Sequence, residues 1–535
     1  MPTTVPPARH GGGRFSVLAD PRFPGDVLPC NTTRNPRLKR LRWEAWTTGC
    51  TPENGVGSTL CYRSVAHWSR DPPHVRPAMD AESDNAHVYG DWFNIEQVLF
   101  DRWEMSPFNC YQSANCAKEA DAVVLPSPLA GCYQEGATST RQGTEKSDHA
   151  LHKRFWSNIQ RAHPRESQLI VLHTTSSCDT DYNIAMRATL AKQPDSFVRR
   201  VVVVGMDSAL QAQCPLRNAF RVPPHYLVVP VPIHTLGYID ASHETRARPF
   251  VAMFEGRRHN RQRQMVYREL RHARGARCTC LEGLTSLDRQ PCPADMVAFC
   301  TVCAHATDPS TCEQLHDDIV RADGGGMSAS RSLSIATHST FCIQPASDAP
   351  TRPDLYAAVL AGCVPVLLEP KGEEIEWAWR WPVPGLEHTV GGLRMQGAIN
   401  YSAFSEVIPP EEVELLMRAH GSAGRLMARL GRKASDLELL KPLRQALSAA
   451  APFIRYSEPH GPQGSANSGR ENGIHEYHTC VEGPGSAPCD AFSLFVRTLQ
   501  VLSWRLKHTV AAAGDADARG QHGVGHAIST YFGRI

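Results

Sequence analysis

The stretch that most restricts the fold of this chain is residues 338–370, HSTFCIQPASDAPTRPDLYAAVLAGCVPVLLEP. Residues 341–344 are short and apolar enough for a buried strand, and residues 345–352 are small and polar, as in a loop. Apolar side chains then recur at helical spacing over residues 355–360. Residues 364–368 form a continuous apolar run, which is typical of a parallel strand buried on both faces. The stretch therefore predicts a strand–loop–helix–strand unit of an α/β fold.

The ends of the helix in this unit carry helix-boundary residues. Thr351 can cap the helix, and Pro353 suits its first turn, where a missing N–H costs nothing. Gly362 fits the left-handed position just past the helix. A helix N-terminus beside a strand end is a ready anion site, and Arg352 adds a bidentate phosphate partner.

Composition indicates a large globular protein with several disulfides. The chain has 535 residues, 41% hydrophobic and 21% charged, which is enough for two or three domains. A net charge of +2 gives no whole-chain field that would favour nucleic acid or an anionic membrane. The 18 cysteines fit the secretory pathway. Two glycosylation sequons, at Asn31 and Asn400, agree with that compartment.

No segment of the sequence is predicted to span a membrane. The most continuous apolar run, Val201–Gly205, is far shorter than the ~20 residues that a span requires. The N-terminus, MPTTVPPARHGGGRF, has no apolar signal core.

The first half of the chain predicts one α/β domain over residues 85–240. Four short apolar runs predict its strands, at residues 122–125, 168–173, 198–205 and 226–231. Ahead of it, residues 1–29 are expected to be disordered or a linker. Residues 30–80, with Cys30, Cys50 and Cys61, form either a small disulfide-tied module or a decoration of the next domain.

A second α/β domain is predicted over residues 248–456, opened by the strand at 250–256. The helix that follows, near residues 260–273, is rich in arginine, and most of that charge is expected to be a solvated face. It lacks interleaved aromatic residues, so nucleic-acid binding is a poor interpretation. Six cysteines between Cys278 and Cys312 predict an inserted disulfide loop, with zinc at Cys300-x-x-Cys303 as the alternative.

The C-terminal part is predicted to end in a helix and a tail. Residues 457–489 are rich in Gly, Ser and Pro and indicate a loop. Residues 490–507 predict an amphipathic helix, and residues 508–535 a loose tail.

The 338–370 stretch resembles the signature of the exostosin-like glycosyltransferases of the GT47 type. In that family a strand with FC and Pro precedes a loop ending in PTR or SPR, a short helix, and GCVPV or GCIPV. The matching pieces here are Phe341-Cys342, Pro345, Pro350-Thr351-Arg352 and the GCVPV of residues 362–366. Residues 119–126 and 254–256 resemble two further strands of the family, and the resemblance spans about residues 89–456.

The resemblance implies a GT-B fold, in which two Rossmann-like domains face each other across a cleft. It implies transfer of a sugar from a UDP-sugar, held by the C-terminal domain, to a glycan or glycoprotein hydroxyl, with no metal and no cofactor. Diphosphate-binding groups would be Gly256, Arg352, either Arg261 or Arg263, and the N–H groups at the helix start. Thr351 and Asp354, also at the helix start, complete the predicted donor-binding set. His173 and Asp179 are the candidates for the base, although His173 can equally be a hydrogen-bonded strand-end residue. Asp179-Thr180-Asp181 spells DxD, which is interpreted as a loop.

The resemblance also implies a location. Family members are typically type II Golgi proteins with an N-terminal anchor, which this sequence does not display. The expectation is either that the start of the chain is truncated or that its location differs.

One position departs from the family pattern. The family usually has Asp or Glu five residues before the Gly of GCVPV, where it is implied to bind the donor nucleotide, and Ala357 stands there. Asp354 or Asp348 could substitute. Three hypotheses follow: an active glycosyltransferase, which is favoured, an inactive relative that acts as a binding or scaffolding partner, and an unrelated secreted binding protein.

Overall fold

A computed structural model describes the central elements of the chain. The described residues are 15–18, 99, 102–103, 106–110, 113–125, 165–173, 190–205, 225–230, 248–258, 260–280, 297–304, 308–322, 335–345, 353–368, 387–390, 393–396, 399–418, 424–454, 456 and 490–518.

The first sheet has five strands, all parallel and arranged in chain order. The three central strands are rich in valine, leucine and isoleucine, and their described side chains are buried, as expected for a parallel sheet covered on both faces. The strands are β1 (Val17–Leu18), β2 (Ala122–Leu125), β3 (Leu169–His173), β4 (Val201–Gly205) and β5 (His225–Val228).

The prediction of disorder or a linker over residues 1–29 is wrong at residues 15–18. Val17 and Leu18 pair with Ala122 and Val123, and the Ser16 backbone N–H donates to the Asp121 carboxylate at 2.7 Å. A two-residue strand is too short to produce a hydrophobic period, and the surrounding Pro, Gly and Arg dominate the local composition. Its partner strand lies about a hundred residues away, so no local pattern reveals the pairing.

The second sheet has six strands. They are β6 (Phe250–Arg257), β7 (Ala276–Cys280), β8 (Val297–Cys303), β9 (Ser339–Gln344), β10 (Val364–Leu368) and β13 (Glu406–Ile408). Their order in the sheet is β13-β10-β9-β6-β8-β7. Strands β13, β10, β9 and β6 run parallel, while β8 and β7 are antiparallel additions at one edge. A separate antiparallel pair is formed by β11 (Glu387–Val390) and β12 (Leu393–Gln396).

The cysteine-rich segment forms disulfides, as predicted, and its described residues lie mostly in two strands and the start of a helix. Cys278 and Cys300 lie opposite each other on β7 and β8 and are bonded, and Cys303 bonds Cys312. Cys300 and Cys303, the pair considered for zinc, are therefore both consumed by disulfides. The high density of cysteine favoured the loop interpretation over these two strands, and β8 is buried over six of its seven residues.

Nine helices are described alongside the sheets. They are α1 (Cys116–Glu119), α2 (Asp195–Val198), α3 (Arg261–Arg271), α4 (Pro309–Ala322), α5 (Pro353–Leu360), α6 (Pro410–Arg418), α7 (Arg425–Ala434), α8 (Leu437–Ala450) and α9 (Ala491–Ala518). Short 3-10 turns occupy Tyr401–Ala403 and Ala451–Phe453. No helix in the described part of the chain is both long enough and apolar enough to cross a bilayer.

Helix α9 is longer than the sequence predicts. It reaches Ala518, eleven residues beyond the predicted end at 507, into the expected tail. The amphipathic stripe ends near Leu506 while the helix continues through alanines, which favour helix without adding an apolar face. Its first turns carry Phe492, Phe495 and Leu499 into a hydrophobic core that also contains side chains of the first sheet and of α5 and α8.

Candidate active site

The predicted donor-binding residues that the structure describes gather at the carboxyl edge of the second sheet. In open α/β sheets, ligands bind outside the carboxyl ends of the parallel strands. Gly256 is the second-last residue of β6, and Gln344 is the last residue of β9. The register pairs Met253 with Cys342, so Gln344 lies about level with Glu255 on the neighbouring strand. Helix α5 begins nine residues after Gln344, at the same edge.

The structure distinguishes the two arginines proposed for the start of α3. Arg261 is exposed, whereas the Arg263 side chain is only 6% exposed. The Arg263 Nη1 atom donates to the backbone carbonyl of Arg257 at 3.3 Å, next to Gly256, and its backbone N–H is capped by Asn260 Oδ1 at 2.9 Å. The buried contact places Arg263, rather than Arg261, against the end of β6.

Sequence reasoning missed a further cation at this edge. Arg258 follows directly after β6, and its guanidinium lies over the ring of Tyr267 on α3, 4.4 Å from the centroid. Its Nε atom is buried and has no hydrogen-bond partner among the described residues. Arg257, Arg258 and Arg263 together give the end of β6 a concentration of positive charge and N–H donors, which suits an anionic ligand.

The start of α5 contacts the end of β9 through side chain and backbone. Gln344 Nε2 donates to the backbone carbonyl of Asp354 at 3.4 Å. The Asp354 side chain is partly exposed at the first turn of α5, and Ala357 is also partly exposed, one turn further along. The signal for Gln344 was present in the sequence as a polar residue that ends an apolar strand at the ligand-binding edge.

Helix α5 is fixed on its buried side. Tyr356 is fully buried and is hydrogen-bonded to Tyr401, and burial, together with this neighbour, raises the pKa of Tyr401 well above its usual value. The Cys342–Cys363 disulfide joins β9 to the start of β10, and Gly362 has φ of 67°, the left-handed conformation that was expected after the helix. The N-terminal turn of α5 is therefore held firmly against the sheet.

The remaining predicted site residues stay predictions. His173 is the last residue of β3, where its backbone pairs with Val204 at the carboxyl edge of the first sheet. Asp179, Thr351 and Arg352 lie outside the described residues.

Comparison with known proteins adds a family match. The family model described as the Exostosin GT47 domain matches residues 62–419, about two-thirds of the chain. The match includes the whole second sheet and the site edge.

Individual relatives match over much shorter segments. A xyloglucan-specific galacturonosyltransferase 1 from Arabidopsis thaliana is 32% identical over 60 residues, which is 11% of this chain and 9% of the relative. The probable xyloglucan galactosyltransferase GT19 of the same organism is 29% identical over 105 residues, 17% of this chain and 24% of the relative. The alignments thus span no more than about a quarter of the length of these curated relatives.

Proposed function

This chain belongs to the exostosin GT47 family, and from that membership we propose that it is a glycosyltransferase that moves a sugar from a UDP-sugar to a hydroxyl of a glycan or glycoprotein. The observation that carries the proposal is the cationic carboxyl edge of β6, β9 and α5 inside the region that the family model matches. Two relatives are named for transfer to xyloglucan, which favours a polysaccharide hydroxyl as the acceptor class.

We place the two sheets in a GT-B arrangement, with the donor on the second and the acceptor on the first. The parallel order of the first sheet and of β13-β10-β9-β6 supports this assignment, because each is a Rossmann-like half with its own carboxyl edge. His173 stands at the edge of the first sheet and would face the acceptor hydroxyl.

In the proposed reaction, the bond between the sugar C1 and the diphosphate oxygen breaks while C1 bonds to the acceptor oxygen. The electron pair leaves with UDP, whose growing negative charge is stabilised by fixed cations and N–H donors. Arg258, Arg263, Arg352, the N–H groups of the first turn of α5 and the open backbone at Gly256 would supply these donors. Thr351 and Asp354 complete the predicted donor-binding set, with Asp354 towards the donor nucleotide rather than the diphosphate, and the exposed Arg261 is the alternative to Arg263.

The acceptor hydroxyl must lose a proton as its oxygen attacks. His173 or Asp179 would take this proton as a general base, which requires hydrogen-bond contact with the acceptor. We propose no metal and no cofactor for this step, since the arginines and amides supply the positive charge.

UDP binding by calorimetry tests the donor site. Replacing Arg352 with alanine is expected to weaken UDP binding by about 10- to 100-fold, because hydrogen bonds to a charged group contribute about 1.5–3 kcal/mol. Arg418→Ala is the matched control, since Arg418 is 79% exposed on α6 and pairs only with Glu414 among the described acidic residues. The control is expected to bind UDP like the wild type.

A folded wild-type protein that does not bind UDP would contradict the proposal. It would favour the second candidate, an inactive family member with a binding or scaffolding role. Ala357 is the observation behind that alternative, because it replaces a carboxylate implied to bind the donor nucleotide.

We further propose that the protein matures in the Golgi or elsewhere in the secretory pathway and carries an N-glycan at Asn400. Asn400 is exposed ahead of the Tyr401–Ala403 turn, and the exposed Ser402 donates its hydroxyl to Asn400 Oδ1 at 2.6 Å. Peptide mass spectrometry of protein made in a secreting eukaryotic cell should show a glycan that is released by a glycosidase. Ser402→Ala keeps Asn400 but destroys the sequon, and it should abolish the glycan. An unmodified Asn400 in the secreted wild type would refute this site.

A further inference from the structure

We infer that Gln344 reads the nucleoside part of the donor and replaces the acidic residue that position 357 lacks. The inference rests on the proposed function, since it concerns the same donor site. It assigns Gln344 the role of hydrogen-bond acceptor for the donor nucleotide, a role for which neither the family match nor the motif singles it out.

The first observation is an unsatisfied oxygen. The Gln344 side chain is 8% exposed, and its Oε1 atom is buried with no hydrogen-bond partner among the described residues. Most buried polar side-chain atoms in folded proteins find a partner, and an exception requires an explanation, such as a catalytic role or a bound water or ion. At a ligand-binding edge, we take that partner to be the ligand. The other amide atom of the same side chain, Nε2, is engaged with the Asp354 carbonyl.

The second observation is where this oxygen lies. Gln344 ends β9, between the cationic end of β6 and the first turn of α5. The strands β6 and β9 are hydrogen-bonded neighbours about 5 Å apart, and Gln344 is level with Glu255, the residue before Gly256. The Nε2 contact with Asp354 fixes the orientation of the amide relative to α5. The acceptor is thus built into the same edge as the arginines proposed for the diphosphate.

The chemistry of an acceptor indicates which part of the donor it contacts. Phosphate oxygens are themselves acceptors and would repel Gln344 Oε1, whereas the uracil N3–H and the ribose hydroxyls are donors. A carboxylate at position 357, one turn further along α5, would accept hydrogen bonds from the same uracil and ribose groups. With Ala357 there, the Gln344 amide is the described acceptor at this edge that is both buried and unpaired.

Calorimetry with two probes separates this role from general support of the site. UDP contains the nucleoside and the diphosphate, while inorganic pyrophosphate contains the diphosphate alone. Gln344→Met keeps the length of the side chain but removes the acceptor, so UDP binding is expected to weaken about 3- to 10-fold while pyrophosphate binding is unchanged. Gln344→Leu serves as a second apolar replacement. Ser405→Ala is the control, because Ser405 Oγ is also buried and unpaired among the described residues but precedes β13, at the opposite end of that strand.

Melting temperature provides an independent readout. Removing the unpaired buried oxygen relieves a desolvation cost, which offsets the loss of the long Nε2 contact with Asp354, so Gln344→Met is expected to melt at about the same temperature as the wild type. Weaker UDP binding in a variant that is no less stable would support a ligand-reading role. Equal losses of UDP and pyrophosphate binding, or unchanged UDP binding, would overturn it. Wild-type protein that fails to bind UDP would instead refute the proposed donor, so the two failures are distinguishable.

Discussion

Replacing Asp490 with alanine is expected to lower the free energy of unfolding by about 3–5 kcal/mol, because it leaves a buried guanidinium without its carboxylate. Asp490 is fully buried and Arg102 is 4% exposed, with Nη1 and Oδ2 3.0 Å apart. The Arg102 guanidinium also lies 4.9 Å from the centroid of Phe492, and Trp103 packs edge-on against the same ring.

Asp490 has a second role as the residue that caps the start of α9. Its Oδ1 accepts from the Ser493 backbone N–H at 2.7 Å, and its own N–H donates to Ser493 Oγ at 2.9 Å. Asp490→Asn retains a good capping side chain but loses the charge, so it separates the two contributions. Asp436→Ala is the matched control, since Asp436 caps α8 at an exposed position and should cost only about 1 kcal/mol. Urea denaturation measures all three variants. An Asp490→Ala loss no larger than that of Asp436→Ala would contradict the buried ion pair.

Stability is expected to fall by about 3 kcal/mol as the pH drops from 6.5 to 4, through the titration of His316 alone. His316 is fully buried on α4 against β7 and β8, with Nε2 3.0 Å from Thr279 Oγ1 and Nδ1 2.9 Å from Thr301 Oγ1. The pKa of His316 is lowered to about 4, chiefly by burial; nearby Asp317 opposes this shift and Arg277 adds a smaller lowering.

The sign follows from proton uptake. Between pH 6.5 and 4, the unfolded chain protonates its imidazole while the folded protein keeps it neutral, so protons favour the unfolded state. The contribution of neutral His316 is therefore complete above pH 6.5 and is lost as the pH falls towards 4.

The variant His316→Gln can hydrogen-bond to both threonines but cannot titrate. Urea denaturation at a series of pH values between 7.5 and 4 should show a steeper loss of stability for the wild type than for the variant. Subtracting the two curves removes the contribution of every other titrating group. Parallel curves would mean that His316 does not control the acid sensitivity of the fold.

The central unit of the fold could be predicted from the sequence almost to the residue. The helix predicted at 353–361 runs from Pro353 to Leu360, and the strand predicted at 364–368 is β10. These predictions hold because their signals depend only on neighbouring residues: Pro353 marks the start of the helix, Gly362 marks its end, and the apolar run defines the strand. The donor edge followed from them, because the carboxyl ends of parallel strands meet on one side.

What the sequence did not reveal depends on contacts between distant residues. The pairing of β1 with β2 joins residues a hundred positions apart, and the burial that separates Arg263 from Arg261 depends on how α3 rests on β6. The unpaired state of Gln344 Oε1 is a property of its neighbours rather than of its type. The apolar run of β8 was visible in the sequence, but the cysteines in β7 and β8 led to the interpretation of the segment as an inserted disulfide loop.

The participation of β1 and α9 in the core affects how the protein could be shortened. The region recognised by the family model ends at residue 419 and begins at 62, so it contains neither Val17 nor Phe492. A recombinant fragment cut at those limits would uncover the backbone of β2, and an uncovered strand edge recruits other chains. It would also open an apolar surface where the aromatic residues of α9 now lie. Boundaries drawn by homology would therefore yield an aggregating fragment, and soluble material for any of the binding experiments requires both flanks.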